Sequence, residues 1–318
     1  MNKPEITLND IGETGLIRRL TSGMIDRDDI RTGAGDDSAV VSVEGSPFDL
    51  LLTSDPVIEG THFRKEDDPE QIGHKAVGRV LSDLAAMGGE AQWLLLDVVA
   101  PGSYSVERLD RVYKGATELG SRFGAAIVGG DTAEGKTLEL HVFAVGRVPR
   151  GKAVLRSGAR SGDMIYVTGA LGGSDAGKHL AFEPRLKEGE WLGKQQWATS
   201  MIDISDGLAT DMRHILKSSR LGAVIEISRI PIAEAAHIES GTPLERAFYD
   251  GEDFELLFTI PAVRQGEFEG AWRETFNLAC TRIGVTNNEE NMLTTMDERG
   301  NLKLLTGTAY EHFTDRTY

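Results

Sequence analysis

The chain has 318 residues, of which 40% are hydrophobic, and this length is sufficient for two domains. Its formal net charge of −16 argues against nucleic-acid binding through a basic face. A single cysteine, Cys280, excludes intrachain disulfides and cysteine-based zinc sites.

The first residues carry no signal-peptide-like apolar region. No run in the chain approaches the roughly 18 apolar residues that a membrane-spanning helix needs. The sequence therefore predicts a cytoplasmic protein without a membrane partner. An apolar face of helical spacing predicts a short helix over residues 11–20, with Asp10 placed to cap its first turn.

The stretch 33–55 has two apolar runs on either side of a turn that contains glycine and proline, a pattern typical of a β-hairpin. Asp36 and Asp37 are predicted to enter the first strand, and Asp55 to leave the second, at the same end of the pair. Carboxylates gathered in this way repel one another unless a cation lies between them. The hairpin therefore predicts one part of a site for a hard divalent metal ion.

Residues 69–87 predict a helix that begins with an early proline and ends at two glycines. At 100° per residue, its apolar stripe contains Ile72, Ala76, Val80 and Met87. Asp83 falls inside this stripe, where a lone carboxylate costs several kcal/mol unless it is paired or metal-bound. Two interpretations stay open: a buried aspartate satisfied by backbone amides or an arginine, and a metal ligand.

The next predicted elements are strands over 91–100, 125–128 and 137–148, with a helix over 106–123 between the first two. Residues 130–137 match the pattern G-x-x-x-x-G-K-[ST] of nucleotide-binding P-loops. We reject that interpretation because a strand follows the match, whereas a P-loop needs a helix whose N-terminal amides meet phosphate. Asp131, which follows a pair of glycines, is instead predicted to join the acidic site.

A turn-rich segment at 149–152 predicts a boundary between a domain of residues 1–148 and a second domain of residues 149–318. In the second domain, we predict strands at 164–168, 223–227, 254–260 and 279–285, a helix into which the segment 201–208 runs, a helix over 262–276, and a hairpin turning at 297–300. The polar stretch 189–199 is predicted to be a linker. This mixed order, with hairpins at both ends, predicts an α+β fold and not a doubly wound parallel sheet.

Nine acidic residues lie at or near predicted strand ends or glycine turns: Asp36, Asp37, Asp55, Asp83, Asp131, Asp203, Asp206, Glu252 and Asp253. Magnesium is held by a few carboxylates and leaves its other positions to water and phosphate oxygens, and no EF-hand spacing for calcium is present. Through such ions an acidic chain can bind a polyphosphate. His62 remains open as a substrate contact. The histidines predicted to be surface residues are His74, His141, His179, His214 and His237.

Motifs in a specific order carry a resemblance that spans nearly the whole chain; they lie at 35–40, 53–63, 81–88, 129–132, 156–159, 203–208 and 251–258. With them the chain resembles the thiamine-monophosphate kinase family, in the superfamily of aminoimidazole ribonucleotide synthetase and selenophosphate synthetase. The resemblance implies a homodimer whose mixed N-terminal sheets close a barrel. It also implies an N-terminal domain that binds ATP and magnesium, a C-terminal α+β domain that completes the site, and phosphorylation of thiamine monophosphate by ATP, the last step of thiamine diphosphate biosynthesis.

The resemblance also implies roles for individual residues. Several magnesium ions would be held by Asp37, Thr53, Ser54, Asp55, Asp83, Asp131, Asp203 and Asp206. ATP would be contacted by Gly130, Asp131, Arg156, Ser205 and Tyr113, and thiamine monophosphate by His62, Glu252 and Tyr310. Catalysis would rest on Asp37, Asp83, Asp131 and Arg156. Asp36 is then expected to be a turn residue or a support for its neighbour.

The implied reaction needs no general base, because the attacking oxygen belongs to a phosphate whose second pKa is near 6. Magnesium ions that bridge the two phosphates would offset the repulsion between the anions. Two alternatives stay open. One is another ATP-dependent synthetase of the superfamily, although Cys280 is far from the N-terminal position of the reactive cysteine in selenophosphate synthetase. The other is a non-catalytic protein that binds nucleotide and magnesium.

Overall fold

The computed structural model describes residues 6–25, 27–238 and 241–307. Its helices are α1 (Leu8–Thr21), α2 (Pro69–Ala86), α3 (Val106–Arg122), α4 (Lys178–Ala181), α5 (Leu186–Lys194), α6 (Leu208–Ser219), α7 (Pro243–Tyr249) and α8 (Gln265–Thr275). Short 3-10 helices cover Ser174–Ala176, Ile227–Arg229, Glu234–His237 and Ala262–Arg264. Within the described ranges, no helix has both the length and the apolar character to cross a membrane.

The strands are β1 (Ile30–Thr32), β2 (Ala39–Ser42), β3 (Phe48–Ile58), β4 (Glu90–Ala100), β5 (Ala126–Gly129), β6 (Thr132–Glu134), β7 (Glu139–Pro149), β8 (Met164–Thr168), β9 (Ser200–Asp203), β10 (Gly222–Glu226), β11 (Leu256–Ile260), β12 (Cys280–Asn287), β13 (Leu293–Met296) and β14 (Leu302–Leu304). They form two mixed sheets, one from β1 to β7 and one from β8 to β14. The predicted α+β class is confirmed.

The first sheet has the order β1-β2-β3-β7-β4-β5, with β6 beside β4. β2 and β3 form the predicted antiparallel hairpin. β3 is longer than expected, because it pairs with β7 from Phe48 to Ile58. We predicted Asp55 at the end of this strand, but it lies within the strand. The pairing of Ala39 with Leu52 nevertheless puts Asp37 level with this part of β3.

The second sheet has the order β14-β13-β10-β12-β8-β11-β9 and is antiparallel except between β10 and β13. The predicted final hairpin is β13 and β14, which meet around the turn at 297–300. β9 lies at one edge and ends in Asp203, directly before the turn that leads into α6. This edge brings the second half of the chain against α2.

The N-terminal helix α1 begins three residues earlier than predicted. Its N-cap is Thr7, not Asp10, and the Asp10 carboxylate accepts hydrogen bonds from the Thr7 amide and hydroxyl, both at 2.7 Å. Asp10 thus completes a capping box from inside the first turn. Gly12 has non-helical φ and ψ angles of 62° and 179°, so the helix is kinked there.

Helices α2 and α3 pack closely because glycines lie where they touch. A Cβ atom added to Gly115 would lie 1.9 Å from the carbonyl oxygen of Glu70, and one added to Gly73 would lie 1.9 Å from that of Val112. Side chains do not fit between backbones at this separation. These glycines therefore fix how deeply α3 seats on α2, the helix that carries Asp83.

Replacing Gly115 with alanine is expected to destabilise the protein by roughly 1–3 kcal/mol, because the helices must move apart to admit the methyl group. Urea unfolding followed by circular dichroism measures the change. Gly270→Ala in α8 is the matched control, since nothing lies within 4 Å of its added Cβ. That variant is expected to gain about 0.4–1 kcal/mol. Equal midpoints for the two variants would contradict this packing account.

We predicted that the stretch 189–199 is a linker, but its first residues, up to Lys194, belong to the helix α5. Trp191 and Trp197 stack on each other at 5.8 Å and meet Phe268 and Trp272 of α8. A Cβ atom on Gly189 would lie 2.1 Å from the carbonyl oxygen of Ala85. The glycines that weaken the helical signal in the sequence are thus required by the close contact between α5 and α2.

One face of the first sheet is apolar and not covered by a helix of the described chain. The opposite face is buried, since Leu140, Val142 and Ala144 of β7 share a core with α2. The uncovered face, which we term the outer face, contains Leu50, Leu52, Trp93, Leu95, Val128, Phe143 and Val145. Trp93 is 49% exposed and Val128 is 60% exposed. An apolar surface of this kind is typical of a protein interface.

Candidate active site

Three carboxylates from distant parts of the chain meet beside α2. Asp37 precedes β2, Asp83 lies near the end of α2, and Asp203 ends β9. One oxygen of each carboxylate lies within 4.8 Å of the others, so we term these residues the carboxylate cluster. The helical periodicity that placed Asp83 on an inward face is confirmed, and the cluster joins the two halves of the chain.

Hydrogen bonds hold each member of the cluster. The Thr53 hydroxyl donates to Asp83 at 2.5 Å, and the Ser82 hydroxyl donates to Asp203 at 2.6 Å. Arg156 donates from its guanidinium to Asp37 at 2.8 Å. The backbone amide of Arg156 also donates to the neighbouring carboxylate, that of Asp36, at 3.1 Å. Asp36 thereby positions the arginine.

The cluster is electrostatically strained without a cation. Burial, with the charges of Asp55, Asp203 and Asp37, raises the pKa of Asp83 well above its usual value. Burial and then the charge of Asp37 raise the pKa of Asp203 to about 7. Oxygen ligands in this close arrangement are those that magnesium and calcium prefer. The cluster can therefore hold a hard divalent ion, which would compensate the mutual repulsion.

A row of charged residues runs along α2 at intervals of four: Lys75, Arg79 and Asp83. The Lys75 side chain is 0% exposed, and its Nζ lies 2.7 Å from Glu252 Oε1. The same Nζ donates to the carbonyl oxygen of His62 at 2.6 Å and lies 2.8 Å from His179 Nδ1. Sequence reasoning missed Lys75 and Arg79, although their spacing from Asp83 was a usable signal.

Glu252 is held in an unusual backbone conformation. Its φ is 52°, and its amide donates to the carbonyl oxygen of Ser205 at 2.7 Å. Such left-handed residues cost on the order of 1–3 kcal/mol and cluster at functional sites. Burial alone would raise the pKa of Glu252, but the hydrogen bond to His179 and the charge of Lys75 lower it to about 2. Glu252 is therefore an ionised carboxylate beside His62.

Two adjoining cavities lie next to these residues. One of about 180 Å³ is lined by Thr61, His62, Arg79, Ser205, Asp206, Asp250 and Glu252. A second of about 610 Å³ shares Thr61, His62 and Glu252 with it and extends towards Phe63 and Asp175. Arg79 lies between the first cavity and the carboxylate cluster: its Nε donates to Asp55 at 3.2 Å, and the charge of Asp55 acts on Asp83 of the cluster. The predicted substrate residues His62 and Glu252 therefore lie together at the cavities.

Other predicted site residues lie apart from the cluster. Ser54 is exposed on β3 opposite Phe143, on the outer face, since successive side chains of a strand point to opposite sides. Asp131 is exposed, and its amide donates to Asp97 at 2.7 Å. In the sheet, β7 and β4 separate it from β3. Tyr113 donates to the carbonyl oxygen of Leu96 at 3.4 Å. Tyr310 lies outside the described residues.

Asp206 belongs to a second group and not to the carboxylate cluster. Its possible ligand atoms lie within 4.8 Å of those of Asp211 and His214, two residues that sequence reasoning missed. Asp211 accepts a hydrogen bond from the Asp206 amide at 3.1 Å. His74, His179 and His214 are half-buried, so the prediction that these three are surface residues is wrong. His179 Nδ1 lies 2.8 Å from Lys75 Nζ, His74 Nε2 lies 2.7 Å from the carbonyl oxygen of Phe182, and His214 lies beside Asp206 and Asp211.

Asp253 is also separate from the carboxylate cluster. It is fully buried and accepts hydrogen bonds from the Gly172 amide at 3.0 Å and the Ser174 hydroxyl at 2.7 Å. These contacts anchor the glycine-rich loop after β8. The loop leads to Asp175 and His179, which line the larger cavity. Asp253 therefore supports a cavity wall.

The segment 130–137 is not a P-loop, which confirms the rejection. It contains β6 and leads into β7, with no intervening helix. A Cβ atom on Gly130 would lie 2.0 Å from the carbonyl oxygen of Leu96, so this glycine is required where the segment crosses β4. The backbone comes close here to another strand.

Comparisons with known proteins agree with this geometry. The family described as AIR synthase related protein, N-terminal domain, matches residues 35–148. The thiamine-monophosphate kinase of Escherichia coli strain K12 is 35% identical over 287 residues, covering 82% of this chain and 86% of that protein. That of Rhodopirellula baltica is 37% identical over 268 residues, covering 80% and 83%.

A solved structure described as AaThiL complexed with AMPPCP and TMP has the same fold over nearly its full length. It covers 98% of this chain and 100% of its own, with a TM-score of 0.84 and 29% sequence identity. The identities to the two kinases extend over most of both chains. The chain therefore belongs to the thiamine-monophosphate kinase family.

Proposed function

We propose that this chain transfers the γ-phosphoryl group of ATP to thiamine monophosphate, giving thiamine diphosphate and ADP. The observation that carries the proposal is the full-length match to a structure holding AMPPCP, an ATP analogue, and TMP. The named relatives support the same reaction. The carboxylate cluster and the adjoining cavities supply the two parts that the reaction needs, a site for metal-bound phosphates and a site for the acceptor.

Magnesium is the proposed metal, because the cluster offers oxygen ligands alone and its carboxylates repel one another. Asp37, Asp83 and Asp203 would hold it, with Asp55 near the same helix. When bound, magnesium supplies charge stabilisation to the phosphates during transfer. The proposed metal set also includes Thr53, Ser54, Asp131 and Asp206.

The proposed reaction depends on positioning and charge more than on proton transfer. The acceptor phosphate is already an anion near pH 7, so no side chain must remove a proton from it. Arg156 is held by Asp36 and Asp37, and its guanidinium would bind the nucleotide phosphates. His62 and Glu252, both held by Lys75, form a wall of the cavities that would receive thiamine monophosphate. Each group is therefore pre-organised before substrate arrives.

An ADP-release assay tests this function. The purified full chain is given ATP and magnesium with either thiamine monophosphate or free thiamine. We expect ADP and thiamine diphosphate in equal amounts with thiamine monophosphate, and no turnover with thiamine. Turnover with thiamine alone would refute the phosphate nucleophile. If no ADP is released with thiamine monophosphate or with thiamine, a non-catalytic nucleotide-binding protein or a different synthetase is favoured.

We also propose the two-domain division at residue 148 and a homodimer formed through the outer face, with the N-terminal sheets of two copies closing a barrel. The apolar side chains on that face and their exposure support the dimer. In its own chain, Asp131 is separated from the strand β3 by β7 and β4. If Asp131 is a metal ligand, its ion must be bridged to the cluster by a nucleotide or must belong to the carboxylate cluster of a second copy.

Trp93→Asp is expected to convert the dimer to a monomer, because it buries a charge at the centre of an apolar interface. Size-exclusion chromatography with light scattering measures the mass, and circular dichroism checks that the fold is kept. Val263→Asp is the matched control, since Val263 is 95% exposed and lies outside the first sheet. A dimeric Trp93→Asp protein would place the interface elsewhere.

A further inference from the structure

Arg79 is the one lysine or arginine among the described residues that line the smaller cavity. The other charged residues of that lining are acidic: Asp206, Asp250 and Glu252. Lys75 cannot serve the cavity, because its ammonium is fully buried on Glu252 and the His62 carbonyl. An anionic ligand in this cavity therefore has a single cationic side chain to meet.

The contacts of Arg79 are long for a charged pair. Its guanidinium nitrogens lie 3.2 and 3.4 Å from the two oxygens of Asp55 and 3.5 Å from Glu252. Strong charge-assisted hydrogen bonds measure about 2.7–2.9 Å. The side chain is 17% exposed and presents five N–H donors, whose planar array matches a phosphate. The guanidinium can thus exchange these contacts for shorter ones to a ligand oxygen.

The position of Arg79 fits the acceptor and not the nucleotide. Arg79 lies on α2 one turn before Asp83 of the carboxylate cluster and one turn after Lys75, which holds Glu252 and His62. A phosphate at Arg79 would therefore lie between the cluster and the cavities. Arg156, in contrast, lies in the second half of the chain and is bound to Asp36 and Asp37 of the first half.

We propose that Arg79 binds the phosphate of the acceptor and so makes the enzyme select thiamine monophosphate over thiamine. This inference rests on the proposed function and adds to it a residue that determines acceptor specificity. A divalent ion held by Asp55 would compete with Arg79 for that carboxylate. The guanidinium would then be available to the phosphate of the acceptor.

Equilibrium binding tests this role without relying on turnover. Isothermal titration calorimetry compares thiamine monophosphate with thiamine, in the presence of magnesium and AMPPCP. For Arg79→Gln we expect the affinity for thiamine monophosphate to fall about 10- to 100-fold, as for loss of a charge-assisted contact, and that for thiamine to change less than about twofold. Arg79→Lys keeps the charge and is expected to lie between wild type and Arg79→Gln.

Arg111→Gln is the matched control, since Arg111 forms surface pairs with Asp68 and Glu70 away from the cavity. It should bind both ligands as wild type does. Equal losses for the two ligands in Arg79→Gln would mean that Arg79 only balances nearby charges, and would overturn the assignment while the proposed function stands. Wild-type protein that binds neither ligand and releases no ADP would overturn both.

Discussion

Replacing Asp83 with asparagine is expected to lower kcat by roughly a thousandfold and to leave the fold intact. About 4 kcal/mol of lost stabilisation corresponds to that factor, within the several kcal/mol that a bound metal ion supplies to transition-state charge. The asparagine side chain fits the same space and can still accept the hydrogen bond from Thr53. Steady-state ADP release at saturating substrates measures kcat.

Thermal unfolding of the same variant separates metal binding from folding. Because burial and three neighbouring carboxylates disfavour the Asp83 charge, metal-free Asp83→Asn should be at least as stable as metal-free wild type. Wild type should gain stability on addition of magnesium, whereas the variant should gain much less. Asp110→Asn, an exposed change on α3, is the control for both measurements. A variant with near-normal kcat at modest magnesium would rule out the metal-cluster account.

Lys75→Met is the other change with a large expected effect, a loss of about 3–5 kcal/mol in the free energy of unfolding. Methionine has a similar length, but it leaves Glu252, the His62 carbonyl and His179 without the ammonium that joins them. These groups come from both halves of the chain. We therefore also expect a higher KM for thiamine monophosphate, because the cavity wall loses its fixed arrangement.

A double-mutant cycle shows whether the lost pairing is the cause. Lys75→Met leaves the charge of Glu252 buried without its partner. Adding Glu252→Gln removes that charge, so part of the lost stability should return. Lys114→Met is the control, since Lys114 is 55% exposed and its surface pair with Glu70 contributes little. If the two changes are additive in urea unfolding, the buried pair does not determine the stability.

Local patterns predicted much of the fold. The alternating strands and the turn between them gave the β2–β3 hairpin, and helical periodicity gave α2 with Asp83 on its inward face. Proline after the N-cap Asp68 marked where α2 begins. These signals are contained in short stretches of chain, so neighbouring residues suffice to read them.

What depends on distant packing was not predictable in the same way. The glycines of α5 reduce helical propensity, and only contact with α2 explains their presence. Lysine and arginine are typical of the solvent-facing side of a helix, but the second half of the chain covers Lys75 and Arg79. In the same way, the sequence does not show the strand order, which separates Asp131 from β3 by β7 and β4.

If the proposed metal and acceptor sites are correct, the charged row on α2 makes them energetically dependent on each other. Asp83 belongs to the metal end of the row, Lys75 to the acceptor end, and Arg79 lies between them. If magnesium draws Asp55 away from Arg79, its binding must raise the affinity for the acceptor. Thermodynamic reciprocity then requires the acceptor to raise the affinity for magnesium by the same factor. Neither affinity would then be a property of one site alone, and each would have to be measured at a stated concentration of the other ligand.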